Sequence, residues 1–357
     1  MTRHTDSHEL SERTDSHEPS SERTDSHEPS SERTDPRGSL LETIGHTPLV
    51  ELETGPPSVP VYAKLETFNP GGSVKDRIGK HIIERLLDRG DLPPGGTVVE
   101  PTAGNTGIGM AVAANQLGLD TVFVVPRGFS EEKRRLMAAL GAEIVDVPGD
   151  IGMSGAAERA HEIAEQREDA VVPQQFATPL NVEAHYETTG REILEALGEE
   201  IGAVVAGVGS GGTLMGIARA VRERVPDVHV VAVEPEGSTF GELLDEHREE
   251  GDYKTEGIGT HDPSVAELLD PDVLDEVVTV SDRDAHAELQ RLASEAGHLV
   301  GSSSGAASVA ARRVAERIAS GDLDAPAETV VTVFPDSGER YLSKNIYGSF
   351  EAWEGKA

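Results

Sequence analysis

A lysine that follows a double-glycine turn is the side chain of this sequence best suited to nucleophilic chemistry. Lys75 ends the run NPGGSVK (residues 69–75) and stands at the start of a helical pattern. It is one of only seven lysines in a chain of 357 residues. A lysine forms an imine with a carbonyl compound when desolvation or a nearby positive dipole lowers its pKa. The pattern allows this role, and it equally allows a lysine at the surface.

A glycine-rich segment, GVGSGGT (residues 207–213), follows an apolar predicted strand and opens a predicted helix. Successive backbone N–H groups at a helix N-terminus bind anions, and the hydroxyls of Ser210 and Thr213 can add hydrogen bonds. This arrangement suits a phosphate monoester. The spacing differs from the dinucleotide fingerprint GxGxxG, and no lysine follows the last glycine as it does in a P-loop. A plain structural turn is the alternative.

A second loop of this kind, PTAGNTG (residues 101–107), also lies between a predicted strand and a helix start. Its backbone amides and hydroxyls suit a carboxylate, and Asn105 can donate a hydrogen bond to an oxygen of a ring or substrate. A well-capped helix N-terminus explains the same pattern.

Strands and helices alternate from about Leu40 onward and must position these loops. We predict strands at residues 97–100, 121–125, 143–147, 203–208 and 228–234, and helices at 107–118, 131–141, 155–167 and 213–225. Such alternation is typical of parallel sheets with right-handed crossovers, in which ligands bind at the carboxyl ends of the strands. We therefore expect the chemistry in the loops after Val99, Val208 and Phe334.

Acidic residues dominate the composition. The 65 Asp and Glu residues against 31 Lys and Arg give a formal net charge of −34. This charge favours a protein adapted to high salt and excludes nucleic-acid binding through a basic patch. The absence of cysteine excludes disulfides, thiolate catalysis and cysteine-ligated metals. Two uncharged stretches, 101–119 and 201–218, each divide into a strand end, a glycine turn and a helix start, so we expect no membrane span.

Residues 5–35 form a degenerate repeat, TDSHELSER followed twice by TDSHEPSSER. The repeat has almost no apolar side chains and cannot bury a core, so we predict a disordered tail over residues 1–38. Its single, evenly spaced histidines do not converge as metal ligands must, and we predict no metal site.

Taken together, these segments resemble the cysteine synthase and cystathionine β-synthase family of pyridoxal-phosphate (PLP) enzymes, which have the tryptophan-synthase-β-like fold. The resemblance covers residues 41–347 and depends on nine segments in order. They are LETIGHTPLVEL (41–52), NPGGSVKDRIG (69–79), EPTAGNTGIG (100–109), QQF (174–176), AHYETTGREI (184–193), GVGSGGTLMGIAR (207–219), EGIG (256–259), VGSSSGAA (300–307) and FPDSGERY (334–341).

The resemblance implies an α/β fold of two three-layer α/β/α domains with mostly parallel sheets (PLP fold type II). A smaller, mobile, substrate-binding domain would comprise residues 69–180. A larger, cofactor-binding domain would comprise residues 39–68 and 181–350. By the same analogy we expect a cytoplasmic homodimer that binds no nucleic acid and no membrane, and a serine acetyltransferase is a partner by analogy only.

The resemblance also implies the role of each site residue. Lys75 would hold pyridoxal 5′-phosphate as an internal aldimine and later move the α-proton of the substrate. Ser303 would hydrogen-bond the pyridine nitrogen, Asn105 would contact the ring oxygen, and Gly257 would line the closing cleft. The cofactor phosphate would be held by Gly209, Ser210, Gly211, Gly212 and Thr213. The substrate-binding residues would be Thr102, Ala103, Gly104, Asn105, Thr106, Gln175 and Gly257. Of these, Thr102, Gly104, Asn105, Thr106 and Gln175 would hold the substrate carboxylate.

The implied reaction is a β-replacement in which O-acetylserine and sulfide give L-cysteine and acetate through an aminoacrylate. The alternative is cystathionine β-synthase activity, with homocysteine as nucleophile and serine or O-acetylserine as donor. O-phosphoserine is less favoured because no added arginine is evident. A dehydratase is less favoured because Thr106 stands where its loop carries histidine. A non-catalytic regulatory protein that binds PLP is the remote alternative.

One residue departs from the family pattern. The substrate loop usually reads TSGNT, and here Ala103 replaces the serine. One hydroxyl contact to the substrate carboxylate is lost, which is worth roughly 1 kcal/mol net. We expect weaker affinity for the amino-acid substrate rather than loss of chemistry.

Overall fold

The computed structural model describes residues 36–53, 59–244, 246–263 and 266–355. From Gly38 onward this part of the chain forms one compact unit. The predicted tail lies outside the described residues as far as residue 35, so its disorder stays a prediction. No helix within these ranges is both long and apolar enough to cross a membrane.

Strands and helices alternate throughout the described ranges. The strands are β1 (Leu49–Leu52), β2 (Val61–Leu65), β3 (Thr97–Pro101), β4 (Asp120–Pro126), β5 (Glu143–Val147), β6 (Ala170–Val171), β7 (Ala203–Gly207), β8 (His229–Pro235), β9 (Glu276–Val280) and β10 (Val330–Phe334). The helices are α1 (Lys75–Arg89), α2 (Asn105–Leu117), α3 (Glu131–Ala139), α4 (Gly152–Glu165), α5 (Leu180–Glu187), α6 (Thr189–Leu197), α7 (Gly212–Arg222), α8 (Asp282–Ser294), α9 (Ser302–Ser320) and α10 (Phe350–Glu354). The predicted elements are confirmed, with ends that differ by at most three residues.

The described strands form two sheets. The larger has the order β1-β2-β10-β7-β8-β9, and within it only the β1–β2 pair is antiparallel. The smaller has the order β5-β4-β3-β6 and is parallel throughout. Parallel neighbours must be joined by crossover connections, which here are helices, and these helices cover the faces of the sheets.

Each sheet is buried on both faces. In β4, Phe123 and Val125 face a core shared with α1 and α2, whereas Val122 and Val124 face a second core with α4. This alternation follows from the two-residue period of a strand. In the larger sheet, α8 and α9 cover one face and α6 and α7 cover the other. Two three-layer α/β/α domains with mostly parallel sheets are therefore confirmed, while the boundaries at residues 69–180 stay a prediction.

A buried cluster of four charges fixes the start of α1. Arg77 donates to both carboxylate oxygens of Glu66 at 2.7 and 2.8 Å, and to both oxygens of Glu192 at 2.6 and 2.8 Å. Lys64 of β2 lies 2.6 Å from the Glu192 carboxylate. Burial alone would raise the pKa of Glu192, but the hydrogen bonds and charges of Arg77 and Lys64 hold it at about 2. Two acids and two bases thus compensate each other and join β2, α1 and α6.

We predict that Arg77→Met lowers the free energy of unfolding by about 3–5 kcal/mol, because it leaves Glu66 and Glu192 buried without their partner. The matched control is Arg159→Met. Its pair with Glu162 has side chains 42% and 60% exposed, so the loss should stay below about 1 kcal/mol. Urea unfolding followed by circular dichroism measures both variants, and equal losses would contradict the prediction.

The sign of the pH dependence follows from the depressed pKa of Glu192. The folded-state pKa, about 2, lies below the ordinary value of 4.5. The carboxylate therefore contributes stability that is present above about pH 4.5 and is lost as the pH falls toward 2. Arg77→Met should weaken this acid dependence.

Candidate active site

The predicted loops border two adjoining cavities at the carboxyl ends of β3, β7 and β10. The inner cavity has about 650 Å³ of empty space, including its open mouth, and is lined by buried strand-end residues such as Ala206 and Val333. The outer cavity has about 1230 Å³ of empty space, including its open mouth, and its lining includes the exposed side chains of Phe129 and Phe176. Both cavities are lined by Lys75, Asn105, Gly209, Ser210, Glu256 and Gly257.

Lys75 is the first residue of α1 and lines both cavities. The backbone N–H of Val74 donates to the carbonyl of Pro335 at 2.8 Å, which seats the helix start at the end of β10. Gly72 has φ +75°, a conformation that glycine adopts without strain. Burial lowers the pKa of Lys75 to about 8, against the opposing effect of Asp336. About one tenth of a group with this pKa is neutral at pH 7, so Lys75 is a competent nucleophile.

The glycine loop between β7 and α7 forms an anion cradle. Gly209, Ser210, Gly211 and Thr213 line the inner cavity at the N-terminus of α7. Gly211 has φ +84°, and a Cβ at Gly209 would lie 2.8 Å from the carbonyl oxygen of Gly257. The backbone therefore approaches the cavity as closely as only glycine permits. A phosphate would meet the helix N-terminus here.

Two buried side chains of α5 support this loop from behind. Asn181 donates to the Ser210 hydroxyl at 3.2 Å, and His185 Nε2 lies 3.1 Å from the Thr213 hydroxyl. Burial and then the charge of Lys75 hold the pKa of His185 well below its ordinary value, so the ring is neutral. Gly212 packs on Asn181 beneath the loop and does not line either cavity.

The loop between β3 and α2 lies on the outer cavity. Its lining residues are Thr102, Ala103, Gly104, Asn105 and Thr106, together with Gln175. The Thr106 hydroxyl donates to Gln175 Oε1 at 2.6 Å. The first N–H groups of α2 lack partners within the helix and can bind a carboxylate. The two predicted loops thus meet at one site, with Lys75 between them.

Glu100 holds the Gln175 segment and was not identified from the sequence. Its buried carboxylate accepts the backbone N–H groups of Gln174 and Gln175 at 3.1 and 3.2 Å. Burial raises the pKa of Glu100 to about 7 despite these hydrogen bonds. Gln174 adopts φ +59°, so the carboxylate stabilises a strained turn.

The remaining predicted residues also reach the site. Ser303, in the first turn of α9, lines the inner cavity, and Gly257, with φ +85°, lines both cavities. Asn105 donates to Asp336 at 2.6 Å and accepts from Arg340 at 2.9 Å. Of the predicted residues, only Gly212 is outside the cavity linings, as described above.

Ionic side chains at the outer cavity are a further feature that sequence reasoning missed. Lys133 lies 3.4 Å from Glu256 and 4.2 Å from the centre of the Tyr341 ring. Lys344 pairs with the same Glu256 at 2.6 Å. Glu256 and Tyr341 belong to the predicted motifs EGIG and FPDSGERY. Their contacts with Lys133 of α3 could not be predicted, because these residues are far apart in the sequence.

Among the described residues, one cluster of histidine and glutamate side chains has the residue types and spacing of metal ligands. His81, Glu183 and Glu187 approach one another between α1 and α5. Arg85 donates to both carboxylates at 3.1 and 3.0 Å, so one of their two negative charges is already compensated. We interpret this cluster as an ion pair between two helices.

A lysine with a lowered pKa beside a glycine cradle at a helix N-terminus defines an enzyme that binds a phosphorylated carbonyl cofactor. Residues 40–336 match the family described as "Pyridoxal-phosphate dependent enzyme", and the chain belongs to this family. The inner cavity fits that cofactor, because it offers the amine, the anion cradle and the Ser303 hydroxyl together.

Two relatives with more than 40% sequence identity match most of this chain. The chain is 44% identical over 310 residues to the O-acetylserine dependent cystathionine β-synthase of Bacillus subtilis, covering 86% of this chain and 97% of the relative. It is 43% identical over 314 residues to the cysteine synthase of Helicobacter pylori, covering 87% and 98%. The predicted family resemblance is confirmed.

Solved structures agree with this fold. The crystal structure of the O-acetylserine dependent cystathionine β-synthase from Helicobacter pylori superposes with a TM-score of 0.78 at 42% identity, covering 88% of this chain and 99% of that one. The cysteine synthase from Entamoeba histolytica superposes with a TM-score of 0.81 at 33% identity, covering 90% and 95%. PLP fold type II is confirmed.

We predict that apo-protein captures added PLP at a rate that rises with pH and levels off above about pH 8, because the Lys75 amine must lose its proton to react. Stopped-flow absorbance gives the profile, and mass spectrometry after borohydride reduction gives the attachment site. Lys75→Ala should lose the reducible attachment, whereas Lys80→Ala on the same helix should keep it. Attachment to a different lysine would contradict the prediction.

Proposed function

We propose that this protein catalyses β-replacement on O-acetylserine, with sulfide as nucleophile and L-cysteine and acetate as products. The observation that carries the proposal is the convergence of Lys75, the glycine loop and the 102–106 loop on two adjoining cavities. The relatives named cysteine synthase support the same reaction type.

Lys75 would hold the cofactor and, once released from it, would take up the α-proton of the substrate. Bound PLP supplies an electron sink for the charge left at Cα. Ser303 would face the pyridine nitrogen as a neutral partner and would not favour ring protonation. The helix N-terminus with Gly209, Ser210, Gly211, Gly212 and Thr213 would hold the phosphate.

The substrate carboxylate would bind at the N-terminus of α2. Thr102, Gly104, Asn105 and Thr106 would contact it, with Gln175 held ready by Glu100. A carboxylate bound at this place would position the α-carbon within reach of Lys75, which lines the same cavity. Movement of residues 69–180 would close the site and exclude water.

Cystathionine synthesis from O-acetylserine and homocysteine is the second candidate. The outer cavity, with about 1230 Å³ of empty space including its open mouth, offers more room than sulfide requires, since a water-sized molecule occupies about 30 Å³. Lys133 and Lys344 give this cavity cationic groups that could meet the carboxylate of an amino-acid thiol. Two relatives named O-acetylserine dependent cystathionine β-synthase support this candidate.

A product assay separates these candidates. Holoenzyme is incubated with O-acetylserine and either sulfide or homocysteine, and chromatography quantifies cysteine and cystathionine. We expect cysteine as the faster product, and at least a hundredfold loss of rate, on the order of a general-base contribution, in Lys75→Ala. Faster cystathionine formation would favour the second candidate. A bound chromophore without either product would favour the non-catalytic alternative.

We predict that Ala103→Ser lowers the KM for O-acetylserine about fivefold with little change in kcat, because one restored hydrogen bond contributes roughly 1 kcal/mol. Ala103 lines the outer cavity beside Thr102 and Gly104. Ala103→Gly is the control, since it changes the loop without adding a hydroxyl. Steady-state kinetics measure all three proteins, and an unchanged KM in the serine variant would show that this position does not contact the substrate.

We further propose a cytoplasmic homodimer adapted to high salt. The net charge of −34 supports the salt requirement. The homodimer has only the family resemblance to support it. Light scattering and thermal unfolding at low and high KCl test both properties, and cell fractionation tests the location. Binding of a serine acetyltransferase has only the family resemblance to support it.

A further inference from the structure

Asp336 is a buried carboxylate that the proposed reaction does not yet use. It follows β10, is 2% exposed and lines the inner cavity. Its backbone pairs with Ser73 on one side, and its carbonyl accepts the N–H of Gly301 at 3.1 Å on the other. A negative charge therefore lies where the segment that leads to Lys75 meets the segment that leads to Ser303.

The two carboxylate oxygens have different surroundings. Oδ2 accepts from Asn105 Nδ2 at 2.6 Å and from the Tyr341 hydroxyl. Oδ1 is buried beside Gly301 and has no hydrogen-bond partner among the described residues. A buried carboxylate oxygen without a donor is costly, so a cationic group in the same cavity would stabilise it.

The charged and titratable neighbours leave one such group facing the cavity. Arg340 is engaged with Asn105 Oδ1 at 2.9 Å and with the carbonyl of Gly71. Burial and then the charge of Asp336 raise the pKa of Tyr341 well above its ordinary range and that of Tyr347 to about 12. Both phenols are therefore neutral near pH 7.

Lys75 is the group that remains. It lines the inner cavity with Asp336, and the Asp336 charge raises its pKa against the effect of burial. Glu256 also lines the cavity, but it pairs with Lys133 and Lys344. His185 is neutral, as described above.

We propose that Asp336 is a positioning residue that retains the proton on the Lys75 nitrogen and fixes the amide of Asn105 in the inner cavity. This inference depends on the proposed role of Lys75 as the cofactor lysine. The neutral amine is the form that attacks an aldehyde and takes up a proton. Asp336 therefore sets the pH at which Lys75 becomes reactive, and it turns Asn105 toward the space where the cofactor ring would lie.

The test is the pH dependence of PLP capture by apo-protein, measured for wild type and Asp336→Asn. Removing the charge makes the ammonium form of Lys75 less favourable. The midpoint should then move to lower pH by about one unit or more, so that capture well below the midpoint becomes about tenfold faster relative to its plateau. Asp336→Glu, which retains the charge, should keep the midpoint near that of wild type.

Tyr341→Phe is the matched control, and it tests whether Asp336 acts through its charge or only through its hydrogen bonds. It removes a hydrogen-bond donor from the same carboxylate and leaves the charge, so its midpoint should stay or move to higher pH. Circular dichroism verifies folding, and Asp336→Ser provides a second neutral variant if the asparagine variant does not fold. Superimposable profiles for wild type and the neutral variants, or a shift to higher pH, would overturn the inference.

Different results would refute the proposed function and this inference. Wild-type protein that captures PLP but forms neither cysteine nor cystathionine would refute the proposed reaction, while the capture profiles would still test Asp336. Wild-type protein that attaches PLP elsewhere than at Lys75 would overturn the inference together with the role of that lysine.

Discussion

The bidentate pairing of Arg77 with Glu66 and Glu192 is the interaction on which the site depends. It joins the larger sheet to α1 in a buried region where every charge is compensated. Arg77 lies two residues after Lys75, so the helical turn that is fixed by the ion pairs also carries this lysine. The position of Lys75 is therefore fixed by a neighbouring ion-pair cluster of which Lys75 itself is not a member.

The chain as a whole is strongly acidic, whereas several of its few lysines lie in or near the cavities. Four of the seven lysines lie in or around this part of the molecule, with Lys64 in the buried cluster, Lys75 and Lys133 in the cavity linings and the exposed Lys344 at the edge of the outer cavity. Anionic ligands are repelled at long range by the net charge of −34. In molar salt the Debye length is about 3 Å, so this repulsion is screened while contacts inside the cavities persist.

The sequence allowed prediction of the features that local patterns encode. Strand β5 matches its predicted range, and the loops at residues 101–107 and 207–213 lie at the ends of β3 and β7 as predicted. Asp336, Glu100 and Lys133 were missed as site residues because their roles arise from pairs distant in sequence, such as Asp336 with Asn105. An acidic residue in a chain with 65 Asp and Glu gives no local sign that it will be buried. The burial of Asp336 results from the packing of the segments around Ser73, Asn105 and Gly301 at the end of β10.

The position of β10 has a consequence for how the protein is made. The last strand in sequence lies in the middle of the larger sheet, between β2 and β7. During synthesis, β1 and β2 have no sheet to join until residue 334 has left the ribosome, although β7, β8 and β9 can already pair. Such long-range closure is slow. Because Val333 of β10 and the following Pro335 and Asp336 line the inner cavity, that cavity is complete only after residue 336 has been synthesised.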